Sequence, residues 1–142
     1  MNKMILMAML AIPAVSYSQA NVPLEVKLVA LDTGQMPEPG SLQVKRAAAA
    51  VRAAGARCTT QGEKLAGQAL TMSQEVQKQG QAASTVEVLE GLDAALVDFK
   101  TRQECSKVLA HYALLRREGY THSRTVVMQR ALMKVAAEAS AH

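Results

Sequence analysis

The chain contains only two cysteines, and their positions constrain how its long apolar segments can pack together. Two segments with helical apolar periodicity flank a short break at residues 80–83. Cys58 lies 22 residues before that break, and Cys105 lies 22 residues after it. Residues equally far from the turn of a helical hairpin lie opposite each other. The spacing therefore predicts a cross-helix disulfide between Cys58 and Cys105.

The segment before the break predicts one long helix with an apolar stripe. Ser41 is a suitable N-cap residue at its start, and we expect the helix to weaken or divide between Thr59 and Gly62. Small residues follow four positions after each stripe residue, so that a partner helix can approach closely. The stripe repeats every seven residues and consists of Val44, Val51, Cys58, Leu65 and Met72.

The segment after the break predicts a second long helix and a shorter third one. Ser84 and Glu87 form a capping box, and Gly119 ends the second helix. Thr121 or Ser123 caps the third helix. Its expected inward stripe is Thr125, Met128, Leu132, Val135 and Ala139. We therefore predict an all-α fold over residues 41–142: an up-down-up three-helix bundle, made of a long helical hairpin and a C-terminal helix.

Residues 21–40 differ from the rest and predict an extended N-terminal arm or linker. Leu24, Val26 and Leu28 alternate with charged residues, which is the two-residue period of a strand. Prolines and glycines then interrupt regular structure up to residue 40. We expect the arm either to lie on the bundle or to bind a partner by adding a strand to its sheet.

Residues 1–20 predict a cleaved signal peptide. Lys3 precedes an apolar run over residues 4–15, and small residues stand at positions 18 and 20, where a signal peptidase reads. The run is shorter than the roughly 20 residues that span a bilayer; a retained anchor is the alternative. The prediction places the protein in the periplasm or outside the cell, where cysteine pairs are oxidised.

Pairing within the predicted hairpin places basic residues together at the end away from the turn. Arg46 would face Arg117, while the acidic residues Glu87 and Glu90 lie at the turn. Helix N-termini and arginines both bind anions. The anion-binding candidates are Arg46, Arg52, Arg116, Arg117, His122 and Arg124. The alternative is that Arg116 and Arg117 only complement the dipole of their own helix.

The sequence gives little support for catalysis, for metal or cofactor binding, or for nucleic-acid binding. The chain has no recognised catalytic motif, and its three histidines lack metal-ligand spacing, so we predict neither a metal nor a cofactor. Aromatic residues make up only 3% of the chain, which argues against nucleic-acid binding by base stacking. The oligomeric state stays open.

Three functions remain. The first is an exported, non-enzymatic interaction protein, such as a chaperone, inhibitor, immunity or secretion-accessory protein. It would bind another envelope or secreted protein through the arm or the basic end. The second is a small all-helical enzyme that acts on an anionic metabolite at the arginine-rich end. The third is a binder of anionic envelope polymers or lipid head groups, with weak contact to the membrane or cell-wall surface.

Overall fold

A computed structural model describes residues 21–141, and these residues form six α-helices and no strand. The all-α prediction is confirmed. The predicted signal peptide, residues 1–20, lies outside the described residues. The helices are α1 (Leu24–Thr33), α2 (Leu42–Arg57), α3 (Gly62–Lys78), α4 (Thr85–Ala95), α5 (Ser106–Arg117) and α6 (His122–Ser140).

Contacts at the two ends of the bundle fix the direction of each helix. Cys58 follows α2 and Cys105 precedes α5, and their disulfide holds both at one end. At the other end, Arg116 near the end of α5 donates to the carbonyl of Ala82, in the turn between α3 and α4. Helices α3 and α5 therefore run from the disulfide end to the turn end and pack against each other, and α4 runs in the opposite direction.

The all-helical bundle is roughly as predicted, but each of the two predicted long helices is divided into two shorter ones. The first division, at residues 58–61, falls where the sequence left one possible; the second, at residues 96–105, was not predicted. The two breaks bind each other. The amide of Thr59 donates to the carbonyl of Gln103 (2.9 Å), and the amide of Gln103 donates to the carbonyl of Arg57 (2.7 Å). Each break thus satisfies backbone groups that its helix leaves free.

The predicted disulfide between Cys58 and Cys105 is present. The sulfur atoms are 2.03 Å apart and the Cα atoms 5.7 Å apart, and both residues are buried. The bond joins the two breaks rather than the middles of two long helices. It therefore fixes both chain reversals at the same end of the bundle.

The prediction of an extended arm over residues 21–40 is wrong for its first half, because residues 24–33 form helix α1. Val26 and Leu28 are buried, and Leu24 is partly buried against the main core. In a helix the backbone satisfies its own hydrogen bonds, and the apolar residues reach both α2 and α3. These side chains belong to the core, so they do not form a strand for a partner's sheet.

Helix α1 also caps another helix. The carboxylate of Asp32 accepts from the amides of Thr85 (2.8 Å) and Val86 (3.3 Å), the first two residues of α4. Ser84 supplies the predicted capping box with Glu87 at the same terminus. A negative charge at this helix end is favourable because of the exposed amides and the helix dipole. Helix α1 is thus held by its apolar side chains and by this contact.

Small residues let the helices approach closely. Ala47, Ala54, Ala69 and Ala95 are fully buried between larger side chains. Five leucines complete the centre of the core: Leu65, Leu89, Leu92, Leu96 and Leu109. The core therefore lies among α2, α3, α4 and α5, α1 adds three buried residues to one side of it, and α6 packs on its outside.

Replacing both cysteines, Cys58→Ser with Cys105→Ser, should lower the free energy of unfolding by about 4 kcal/mol. The bond closes a loop with a sequence separation of 47, and loop-closure entropy gives this figure. Urea unfolding of the two proteins measures the difference. Reduction of the wild-type protein should have the same effect. A loss below about 1 kcal/mol would contradict the role assigned to the disulfide.

Asp32→Ala should cost about 1 kcal/mol of folding stability, since it removes a cap from α4. Glu38→Ala is the matched control because Glu38 is an exposed acid whose side chain makes no hydrogen bond to any described residue. Thermal unfolding of both variants provides the comparison. Equal stability of the two variants would show that the contact between α1 and α4 contributes nothing.

Candidate functional site

The basic residues are not gathered away from the turn as predicted, because Arg46 and Arg116 lie near the turn end together with acidic residues. Arg46 forms a two-pronged ion pair with Glu90, with both nitrogen–oxygen distances at 2.7 Å, and Arg57 pairs with Asp93 at 2.9 Å. Helix α2 packs against α4, which runs in the same direction, so the hairpin register that opposed Arg46 to Arg117 is wrong. Acidic residues expected at the opposite end neutralise these arginines instead.

Arg116 is the one buried arginine among the described residues, with 5% of its surface exposed. One terminal nitrogen donates to the hydroxyl of Tyr112 (2.9 Å), and the other donates to the carbonyl of Ala82. The Nε atom is buried without a hydrogen-bond partner. The side chain thus ties the end of α5 to the turn that joins α3 and α4. Arg116 therefore connects two parts of the fold. This role differs from the predicted anion binding and from the alternative, in which Arg116 only complements the dipole of its own helix.

The hydroxyl of Tyr112 continues this network to α6. It lies 2.7 Å from Nδ1 of His122, the first residue of α6. The hydroxyl thus accepts from Arg116 and also shares a hydrogen bond with the imidazole of His122. Gly91 of α4 makes room for the tyrosine ring, because an added Cβ would lie 3.1 Å from its Cε2 atom.

Burial sets the protonation of both ring side chains. Burial raises the pKa of Tyr112 above its ordinary value, although Arg116 opposes this. Burial lowers the pKa of His122 below 6.5, while the carboxylates of Glu87 and Glu90 oppose the shift and Arg116 adds to it. The network is therefore stable with a neutral tyrosine and a neutral histidine. It positions the start of α6.

The six anion-binding candidates do not form one site. Arg46, Arg116 and His122 lie in the same region as Glu87 and Glu90. Arg52, Arg117 and Arg124 are exposed on three different helices. The arrangement brings together three of the candidates, and all three are already engaged by protein groups.

Helix α6 is the feature that the sequence analysis placed wrongly. Its fully buried residues are polar, Thr125 and Gln129, and Met133 adds a partly buried contact to the core. The predicted inward stripe is largely outward: Leu132 is 51% exposed and Val135 is 64% exposed. The amide of Gln129 donates to the carbonyl of Val108 (2.9 Å), which helps to hold the helix in this orientation.

This docking leaves polar atoms without partners inside and apolar side chains outside. The hydroxyl of Thr125 and the amide oxygen of Gln129 are buried with no hydrogen bond to a described residue. Such atoms each cost about 1–3 kcal/mol. The outer surface carries Val127, Met128, Ala131, Leu132, Val135 and Ala139, which we call the α6 apolar face.

A groove lies beside the C-terminal half of α6. It has a volume of about 420 Å³ and lies between residues 98–103 and the side chains of Lys134, Ala137 and Glu138.

Within residues 21–141, no cluster of three or more His, Cys, Asp or Glu residues is arranged to hold a metal ion. None of the six helices is long and apolar enough to cross a membrane.

No protein-family model, curated protein or solved structure matches this chain. Function is therefore argued from the geometry of the described residues.

The stability of the fold should fall when the pH drops below about 6.5, through His122. The folded-state pKa of this histidine is lowered, so its contribution is complete above the unfolded value and is lost as the pH falls through the folded value. His122→Asn keeps an acceptor for the Tyr112 hydroxyl but does not titrate. Thermal unfolding at about pH 7.5 and about pH 5.5 should show a smaller difference for the variant. An equal pH dependence in both proteins would contradict this role.

Proposed function

We propose that the protein is an exported, non-enzymatic interaction protein that binds another envelope or secreted protein through the α6 apolar face. The observation that carries the proposal is the orientation of α6. A surface helix normally turns its apolar stripe toward the core, whereas α6 exposes 65% of Val127, 51% of Leu132 and 64% of Val135. Apolar surface of this kind on a folded protein is typical of a binding site.

The remainder of the fold supports a binding module. The disulfide and the tie formed by Arg116 and Tyr112 hold the platform on which α6 rests. A helix that projects from a rigid platform loses little conformational freedom on binding. Neither arginines nor carboxylates converge on the α6 apolar face, so it presents shape and apolar surface rather than acid–base chemistry.

Export is supported by two separate features. The apolar run and small residues at positions 4–20 have the pattern of a signal peptide. The buried disulfide is the chemistry of an oxidising compartment. The partner that we propose is accordingly a protein of the same compartment.

Site-specific photo-cross-linking in cells tests the proposal. A photoreactive residue at Leu132 or Val135 should form covalent adducts with a protein, because both positions lie on the α6 apolar face. The same residue at Gln74, an exposed polar position on α3, is the matched control. Leu132→Glu should abolish the adduct formed at Val135, and mass spectrometry identifies the adduct. Equal labelling at Val135 and Gln74 would refute the proposed binding surface.

A further inference from the structure

The α6 apolar face has the residue spacing of a helix that pairs with another helix. Met128, Leu132, Val135 and Ala139 follow one another at intervals of four, three and four residues. This is the spacing of the buried seam in a coiled coil. Helix α6 has 19 residues, so the face extends for much of about 28 Å. One flank of the seam, which includes Gln129, is buried against the protein's own core.

The other flank is exposed, and its charges would match those of the same flank on a second, antiparallel copy of the helix. Arg124, Ala131 and Glu138 lie on it at intervals of seven residues. Ala131 is therefore equally far from the positive and the negative residue. In an antiparallel pair with its two-fold axis at Ala131, Arg124 of each helix would meet Glu138 of the other. A parallel pair would instead place like charges together.

These two charges lie at the ends of α6 where their own helix dipole does not favour them. Arg124 lies in the first turn of α6, where the helix dipole favours acids, and Glu138 lies in the last turn, where it favours bases. Neither side chain forms an ion pair with any residue between 21 and 141. Both charges oppose the dipole of their own helix. An antiparallel neighbour would supply each with an opposite charge.

From this self-complementarity we infer that the occupant of the α6 apolar face is a second copy of this chain, bound antiparallel about a two-fold axis at Ala131. The inference rests on the proposed function and names the partner. Leu132 of each copy lies next to the axis, Val135 of each copy lies opposite Val127 of the other, and two Arg124–Glu138 pairs close the ends. The small residue at the axis permits a close approach of the two backbones.

Charge reversal tests the pairing. Sedimentation of the purified, oxidised protein at about 100 µM should show a dimer, a concentration high enough to populate an interface of weak affinity. Arg124→Glu or Glu138→Arg alone should weaken the dimer at least about tenfold, because each creates two like-charge contacts. The double variant R124E/E138R should restore the wild-type dimer. Lys64→Glu on α3 makes the same charge change as Arg124→Glu at a distant exposed position and should have no effect.

Loss of folding does not account for the expected result. Both single changes place the charge that the helix dipole prefers, so α6 itself gains stability while the dimer loses it. Circular dichroism of each variant verifies this. A wild-type monomer at about 100 µM, a dimer indifferent to the single changes, or a double variant that fails to recover would each overturn the inference.

The outcome separates this inference from the proposed function. A monomeric protein whose Leu132 position still cross-links to a different protein would overturn the second copy and leave the binding face intact. A monomeric protein with no adduct at Leu132 or Val135 would overturn both. A dimer that recovers in the double variant supports the second copy, and it supports the α6 apolar face as a binding surface without supporting a different partner protein.

Discussion

The disulfide between Cys58 and Cys105 is the constraint on which the arrangement of the helices depends. It joins the break after α2 to the start of α5, next to two backbone hydrogen bonds between the same breaks. Both chain reversals are thereby held at one end of the bundle. Arg116 makes the corresponding connection at the other end, from α5 to the carbonyl of Ala82. Helices α3, α4 and α5 are fixed between these two connections, and they form the platform for α6.

Polar residues determine how α6 rests on that platform. His122 meets the Tyr112 hydroxyl at the first turn, and Gln129 donates to the carbonyl of Val108 one helical turn beyond Thr125. Apolar burial contributes little on this side of the helix, since only Met133 reaches the core from the second half. The apolar residues therefore remain on the outer surface. The same polar contacts that orient α6 also leave its apolar face exposed.

The sequence predicted well the features that depend on local chemistry. Ser41, Ser84 and Thr121 cap the helices they were assigned to, because N-cap preference acts over three or four residues. The disulfide was also predictable, since only one pair of cysteines exists. The symmetry about residues 80–83 survives the division of both helices, because α3 and α4 still form a hairpin around that turn.

Features that depend on tertiary partners were not predictable. Residues 24–29 fit both a strand and a helix, and the contacts of α1 with α2 and α3 decide between them. Arg46 pairs with Glu90 only because α2 packs on α4, and no local pattern specifies that neighbour. For α6, the apolar stripe predicted which side of the helix is buried, but the side that is buried carries the polar residues Thr125 and Gln129. A stripe in the sequence therefore does not show which side of its helix is buried.

Hydrogen exchange at several protein concentrations tests the central claim most directly, namely that the outer face of α6 is a surface for a partner and that this partner is a second copy. Peptides that cover residues 122–140 should exchange more slowly as the concentration rises, because dimerisation protects α6 from local opening. Peptides from the exposed side of α3 should exchange at a constant rate. Exchange in α6 that is independent of concentration, over the range in which the dimer should form, would contradict the account.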